Sequence, residues 1–179
     1  REVAQRDGST IKHSFKITVQ EGYNLLNGRP VRKFMLDKNN VQIDSWIRLN
    51  LNERSPISRN HKLIIEPVAS FNLKEVLRDY TISENQHHAL IKSLERGDLA
   101  MATFLNNKSE TERLYISPDT NKYCLNLYTH EHRPISLKEQ KELGIIHPSL
   151  IKRLEQIPST KELLKEITSH TLKRSQKIW

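Results

Sequence analysis

Apolar and polar positions alternate along much of the chain up to residue 129, and this alternation predicts β-strands. It predicts a first strand over 11–19. The segments 31–36 and 41–51 are joined by four turn-forming residues and predict an antiparallel hairpin. Trp46 is out of phase with its strand, which indicates either a bulge near Ser45 or a strand that is buried on both faces.

The later strand signals predict one further strand and a three-stranded meander. The predicted segments are 62–68, 99–105, 112–117 and 122–129. Pro67 indicates that the first of these lies at a sheet edge or ends at that residue, because proline cannot donate a hydrogen bond to a neighbouring strand.

Helix signals lie between the strands and dominate after residue 136. A polar cap residue followed three positions later by Glu or Gln predicts helix starts at Asn72, Ser83, Ser136 and Ser159. A short helix is predicted over 21–27, ending at Gly28, and a longer one over 84–96, ending at Gly97. Pro148 suits the first turn of a helix over 149–157, and Gly144 ends the helix before it.

Strands followed by helices, without a regular βαβ alternation, predict an α+β fold. We expect an antiparallel sheet, made of the hairpin and the meander, with short helices and a C-terminal helical appendage. The predicted organisation is a flexible lead-in over 1–10, an α+β domain over 11–133 and a basic helical appendage over 134–179.

The composition points to a cytoplasmic protein that attracts polyanions. The single cysteine cannot form an intramolecular disulfide, and no apolar run is long enough to predict a membrane span. Lys and Arg number 29 against 21 Asp and Glu, a formal net charge of +8. From Arg133 onward the chain has 10 basic and 5 acidic residues, so the excess is concentrated near its end. Such a charge favours nucleic acid, although it also suits a merely soluble surface.

The basic residues most able to hold phosphates fall into two groups. The candidates are Arg29, Arg32, Lys33, Arg48, Lys152, Arg153, Lys173, Arg174 and Lys177. In the first group, Asn27 and Gly28 equally suit a structural helix cap, and the charges then form the solvated face of a strand. If the strand is regular, Arg29 and Lys33 share one face while Arg32 lies on the other.

No catalytic motif, metal site or cofactor is predicted. Cys124, His130 and His132 have ligand chemistry, but a structural zinc site needs four ligands, and a solvated loop explains the two histidines equally well. The five glycines are isolated, so no glycine-rich phosphate loop is present. Trp46 and the tyrosines at 115, 123 and 128 could stack unpaired bases, or they could simply pack in the core.

The order of several short motifs resembles a domain of unknown function carried by proteins of Bacteroidetes conjugative and mobile elements. These motifs are Leu25–Lys33 (LLNGRPVRK), Trp46–Asn50 (WIRLN), Phe71–Leu73 (FNL) with Val76-Leu77, Leu90–Gly97 (LIKSLERG), Tyr115-Ile116 and Leu125–Tyr128 (LNLY). The resemblance implies a context of DNA transfer or maintenance and no catalytic residue.

Three functions fit these observations. The first is a non-catalytic nucleic-acid-binding accessory domain of a mobile-element protein, with DNA as the expected ligand. The second is a protein-interaction module that docks a larger DNA-processing protein through apolar stripes on the C-terminal helices, such as Leu150, Ile151 and Leu154. The third is a divergent metal-dependent nuclease.

Overall fold

The computed structural model describes residues 16–36, 39, 41–54 and 59–156, together with the backbone of 3–4 and 10–11. It has the α+β fold that the sequence predicts, with several short helices, but the hairpin and the meander lie in two separate three-stranded antiparallel sheets rather than in one. In the part of the chain that is described, no helix is long and apolar enough to cross a membrane.

The first sheet contains the predicted hairpin. Its elements are β3 (Val31–Leu36), β4 (Gln42–Arg54) and β5 (His61–Pro67), in the order β3-β4-β5, and α1 (Val19–Leu26) precedes them. A separate pair of two-residue strands, β1 (Val3–Ala4) and β2 (Thr10–Ile11), lies before α1. The strand β5 lies at the edge of this sheet and ends at Pro67, so both positions inferred for this proline are confirmed.

The second sheet is the predicted meander, which follows two helices. Residues 68–70 form a single turn of 3₁₀ helix, and α2 (Leu73–Arg78) and α3 (Glu84–Glu95) follow. The strands β6 (Ala100–Leu105), β7 (Thr111–Asp119) and β8 (Cys124–Tyr128) pair in sequential order. The chain then forms α4 (Leu137–Leu143) and α5 (Pro148–Glu155).

The strand β4 is buried on both faces, which resolves the phase of Trp46 without a bulge at Ser45. Pairing with β3 and β5 is continuous through this region, and the register shifts only between Asn50 and Arg54. Trp46 packs edge-on against Phe71 in the larger core, with ring centroids 5.4 Å apart. Ile47, the next residue, belongs to a smaller core under α1. Both side chains are almost fully buried.

The predicted strand over 11–19 is wrong beyond residue 15, because helix α1 begins at Val19. Thr18 Oγ1 accepts a hydrogen bond from the backbone N–H of Glu21, at 3.2 Å, while the Glu21 carboxylate accepts one from the backbone N–H of Thr18, at 2.8 Å. This reciprocal cap stabilises a helix start inside a segment whose apolar alternation resembles a strand. Residues 12–15 lie outside the described part of the chain.

The helices after residue 136 contribute to the larger core. Ile135, Ile145, Ile146 and Leu150 are buried in one cluster with side chains of α2, α3 and the meander. The predicted division at residue 134 stays a prediction. A truncation at this position would remove core side chains such as Ile145 and Leu150, so it would test the fold as well as binding. The helix predicted from Ser159 lies outside the described residues.

Candidate nucleic-acid interface

Arg29, the first predicted phosphate ligand, holds the end of α3 against α1. Its Nε donates a hydrogen bond to the backbone oxygen of Gly97 at 2.8 Å, and its Nη2 donates one to Asn24 Oδ1 at 2.6 Å. The guanidinium also lies 5.7 Å from the centre of the Tyr23 ring. The cap at Asn27 and the left-handed Gly28 match the alternative of a structural helix end, whereas Arg29 does not lie on a solvated strand face.

Arg32 and Lys33 lie on opposite faces of β3, as alternation predicts, and both form ion pairs. Arg32 binds Asp44 through two nitrogens and also pairs with Glu95. The hydrogen bond to Asp44 and the interaction with Glu95 raise the pKa of Arg32, against the effect of its partial burial. Lys33 Nζ lies 2.6 Å from a Glu21 carboxylate oxygen on the face covered by α1.

Arg48 completes the first group of predicted cations. Its Nη2 donates to Glu66 Oε1 at 3.2 Å, and its side chain is only 18% exposed. The four cations of this group therefore already have acceptors within the chain. A phosphate would have to compete with carboxylates and backbone oxygens that are fixed in place, so this region offers little unneutralised positive charge.

The second group is placed differently, because α5 docks through Arg153 and leaves Lys152 in solvent. Arg153 Nη2 donates to Asp79 Oδ2 at 2.7 Å and to the backbone oxygen of Tyr123 at 3.0 Å. Its guanidinium lies 5.5 Å from the centre of the Tyr123 ring. Lys152 is exposed on the same helix. Lys173, Arg174 and Lys177 lie outside the described residues.

This docking brings three distant segments into contact, and we call the cations on them the α2–α5 surface. It consists of Lys74 and Arg78 on α2, Lys122 in the β7–β8 turn, and Lys152 and Arg153 on α5. Tyr123 connects the three segments, since its hydroxyl accepts a hydrogen bond from the backbone N–H of Asn72 at the start of α2, at 3.1 Å.

Acidic groups neutralise only part of the α2–α5 surface. Asp79 is engaged by Arg153, and Asp119 lies 3.7 Å from Lys122 Nζ while also accepting hydrogen bonds from the turn backbone. Glu75 is the remaining carboxylate beside Lys74 on α2. Glu155, which lies three residues after Lys152 on α5, pairs with Lys141. These segments therefore carry five cations and four carboxylates, two of which pair with cations of the surface. The side chain of Lys122 is 58% exposed and that of Arg153 is 40% exposed, so both remain accessible to a ligand.

The sequence analysis missed Lys74, Arg78 and Lys122. Lys74 and Arg78 are four residues apart, a spacing that places them on the same side of a helix, and this is the one signal that could have marked them. Nothing local indicates that α5 and the β7–β8 turn lie beside this side of α2.

A groove of about 600 Å³ leads from the α2–α5 surface toward Arg32. Trp46, Phe71 and Ile91 line its apolar part, while Lys74 and Tyr123 lie at one end and Arg32 and Glu95 contribute polar groups. Trp46 is 1% exposed and donates its indole N–H to the Phe71 backbone oxygen at 3.1 Å, so it is a core residue rather than a stacking platform.

The suggested metal ligands are not assembled into one site. Cys124 is buried in the larger core, and burial raises the pKa of its thiol to about 12, which keeps it protonated. His130 and His132 are exposed beside Tyr115. Within the described residues, no group of three or more His, Cys, Asp or Glu side chains could hold a metal ion.

Comparison of the chain with protein-family models, with curated proteins and with solved structures gave no match. The resemblance to the mobile-element domain therefore stays a prediction.

Proposed function

We propose that this chain is a nucleic-acid-binding accessory domain that positions DNA without chemistry of its own. In this proposal it acts in the cytoplasm, in the transfer or maintenance of a mobile element, beside a larger DNA-processing protein. The observation that carries the proposal is the meeting of α2, the β7–β8 turn and α5 at Tyr123, since these three segments carry five cations.

Phosphate binding at this surface has a clear physical basis. Lys152, Lys74 and Arg78 are exposed, so contact with a phosphate breaks no intramolecular ion pair seen in the described residues. Each cation that neutralises a phosphate releases condensed counterions, and affinity then falls as salt rises. The chain continues after Gln156 with five basic and two acidic residues, and this adds to the attraction.

The test compares two double variants that remove the same charge. Lys122→Gln with Lys152→Gln removes two cations of the α2–α5 surface. Lys108→Gln with Lys138→Gln is the matched control, because Lys108 lies in the β6–β7 turn at the opposite end of β7 and Lys138 is 86% exposed on α4. Binding of labelled single-stranded and duplex DNA of about 20 nucleotides is measured by fluorescence anisotropy over a range of salt concentrations.

We expect the surface variant to weaken binding and to lower the slope of log affinity against log salt by up to about 1 per lysine. The control should keep the wild-type slope. Equal losses in both variants would mean that only net charge matters, and no binding of the wild type at about 50 mM salt would refute the proposal.

A protein-interaction function is favoured by one separate observation. The apolar residues predicted to serve it on α5 are used internally, since Leu150 is buried and Ile151 and Leu154 pack against the same core. The β3–β4 hairpin instead exposes Phe34 and Leu36, at 61% and 55%. If the hairpin mediates self-association, sedimentation velocity should show a concentration-dependent dimer that Phe34→Ser abolishes. A monomer at every concentration would exclude a second copy as its partner.

A further inference from the structure

The face of the meander that points away from the core has aromatic and cationic side chains at one end. Tyr115 on β7 pairs directly with Tyr128 on β8 and with Met101 on β6, so these three side chains form a row across the sheet. Arg113 lies two residues before Tyr115 on the same face and is exposed.

Two exposed histidines from the turn after β8 extend this row. The ring centre of His132 lies 5.0 Å from that of Tyr115, with the planes at 69°, and His130 lies 6.0 Å away at 79°. His132 has a left-handed backbone with φ of 59°, and its N–H donates to the Thr129 oxygen at 3.0 Å. The turn thus holds both imidazoles edge-on against the tyrosine. We call Met101, Arg113, Tyr115, Tyr128, His130 and His132 the tyrosine–histidine patch.

The charge of this patch suits an anionic ligand. Side chains that alternate onto this face of the described strands include two charged groups, Arg113 and, at the opposite end of β7, Asp119, which lies 3.7 Å from Lys122 Nζ. Glu131 lies in the adjoining turn between the two histidines. Met101 is 45% exposed, so the row also offers apolar area. Aromatic rings beside an arginine, at the end of the sheet face that lacks a carboxylate, match the stacked bases and phosphates of an unpaired strand.

We propose that the tyrosine–histidine patch stacks unpaired bases, so that the ligand of this chain is single-stranded nucleic acid. This inference rests on the proposed function, since the α2–α5 surface supplies the phosphate contacts. The two regions lie at opposite ends of β8, because Lys122 and Tyr123 precede that strand while Tyr128 ends it and His130 follows. Five residues of strand separate them by roughly 16 Å, a span that one unpaired strand can cover.

The experiment uses two strands with the same backbone, a single-stranded DNA of about 20 nucleotides and an abasic strand of equal length. Tyr115→Val keeps a β-branched residue in the strand, and His132→Asn keeps a residue that tolerates the left-handed backbone. Tyr23→Leu is the control, because Tyr23 is an exposed tyrosine, at 58%, on α1 beside the other sheet.

We expect both patch variants to weaken binding of the base-bearing strand about 5- to 100-fold. The patch variants should bind the abasic strand with wild-type affinity, and Tyr23→Leu should bind both strands as wild type does. If wild type binds both strands equally and the patch variants change nothing, base stacking is refuted while phosphate binding stands. If wild type binds neither strand, the proposed function and this inference both fail. His132→Asn alone decides the outcome if Tyr115→Val does not fold.

Discussion

The packing of α3 against the first sheet depends on Gly97, and replacing it with alanine tests that dependence. Gly97 follows α3 with φ of 76°, a conformation that residues with a Cβ rarely adopt. A Cβ built there would lie 2.9 Å from the backbone oxygen of Pro30, 2.9 Å from Val31 Cγ2 and 3.0 Å from Asn24 Cβ. One of these neighbours would have to move, and two of them belong to the segment that enters β3.

The expected loss of stability has two parts. The left-handed backbone costs an L-residue about 1–2 kcal/mol. Forcing an extra methyl group into filled space adds about 1–3 kcal/mol, so Gly97→Ala should lower the free energy of unfolding by about 2–5 kcal/mol. Gly28→Ala is the matched control, since Gly28 has φ of 75° but its Cβ would meet only Leu51 Cδ1, at 3.4 Å. This control should lose only the conformational part, about 1–2 kcal/mol.

The assay is urea unfolding followed by far-ultraviolet circular dichroism, with wild type, Gly97→Ala and Gly28→Ala measured together. We expect Gly28→Ala to lower the urea midpoint and Gly97→Ala to lower it further, with unchanged slopes. Equal midpoints for the two variants would refute the reasoning, because they would show that α3 does not approach Pro30 and Val31 as closely as described.

Three further predictions concern individual polar groups. Tyr80 is 2% exposed, and its hydroxyl accepts a hydrogen bond from the Leu125 N–H at 2.9 Å. Tyr80→Phe should lower the free energy of unfolding, measured in urea, by about 1–3 kcal/mol. A loss below about 0.5 kcal/mol would contradict this. Hydrogen bonds from the Ser136 backbone and hydroxyl, helped by an arginine, hold the pKa of Glu139 at about 2, below its ordinary 4.5. The stabilising contribution of Glu139 is therefore complete above pH 4.5 and is lost as pH falls through about 2. An NMR titration should show that Ser136→Ala raises the pKa of Glu139. An unchanged pKa would argue against the cap. Burial raises the pKa of the Cys124 thiol to about 12, so Ellman's reagent at about pH 8 should label it only after unfolding. Rapid labelling of the native protein would contradict the burial of Cys124.

The elements that sequence predicts well are those with local signals. The hairpin, the meander and α3 have turn residues or glycine at their ends, and Ser136 with Glu139 forms the predicted reciprocal cap of α4. Ser83 resembles the same cap but makes no such bond, because the Gln86 amide instead pairs with both backbone groups of Thr103. Thr18 with Glu21 was overlooked because strand-like alternation runs through the same residues.

The candidate site was harder to predict because its determinants are far apart in sequence. Arg32 is paired with Glu95, 63 residues away, and Arg29 with the backbone of Gly97, 68 residues away. A local pattern of cations cannot show which of them are engaged by such partners. For the same reason Lys152 and Arg153 were identified, while the neighbours that make their surface basic were not.

The burial of β4 on both faces has a consequence for how this protein opens. Trp46 and Ile47 are adjacent in the chain but belong to different hydrophobic clusters, so displacing β4 from its sheet disrupts both clusters at once. Amide protons on the two sides of this strand should therefore exchange with solvent through one shared opening event, with similar free energies of protection. Hydrogen exchange would then report a single cooperative unit that extends from α1 to α5.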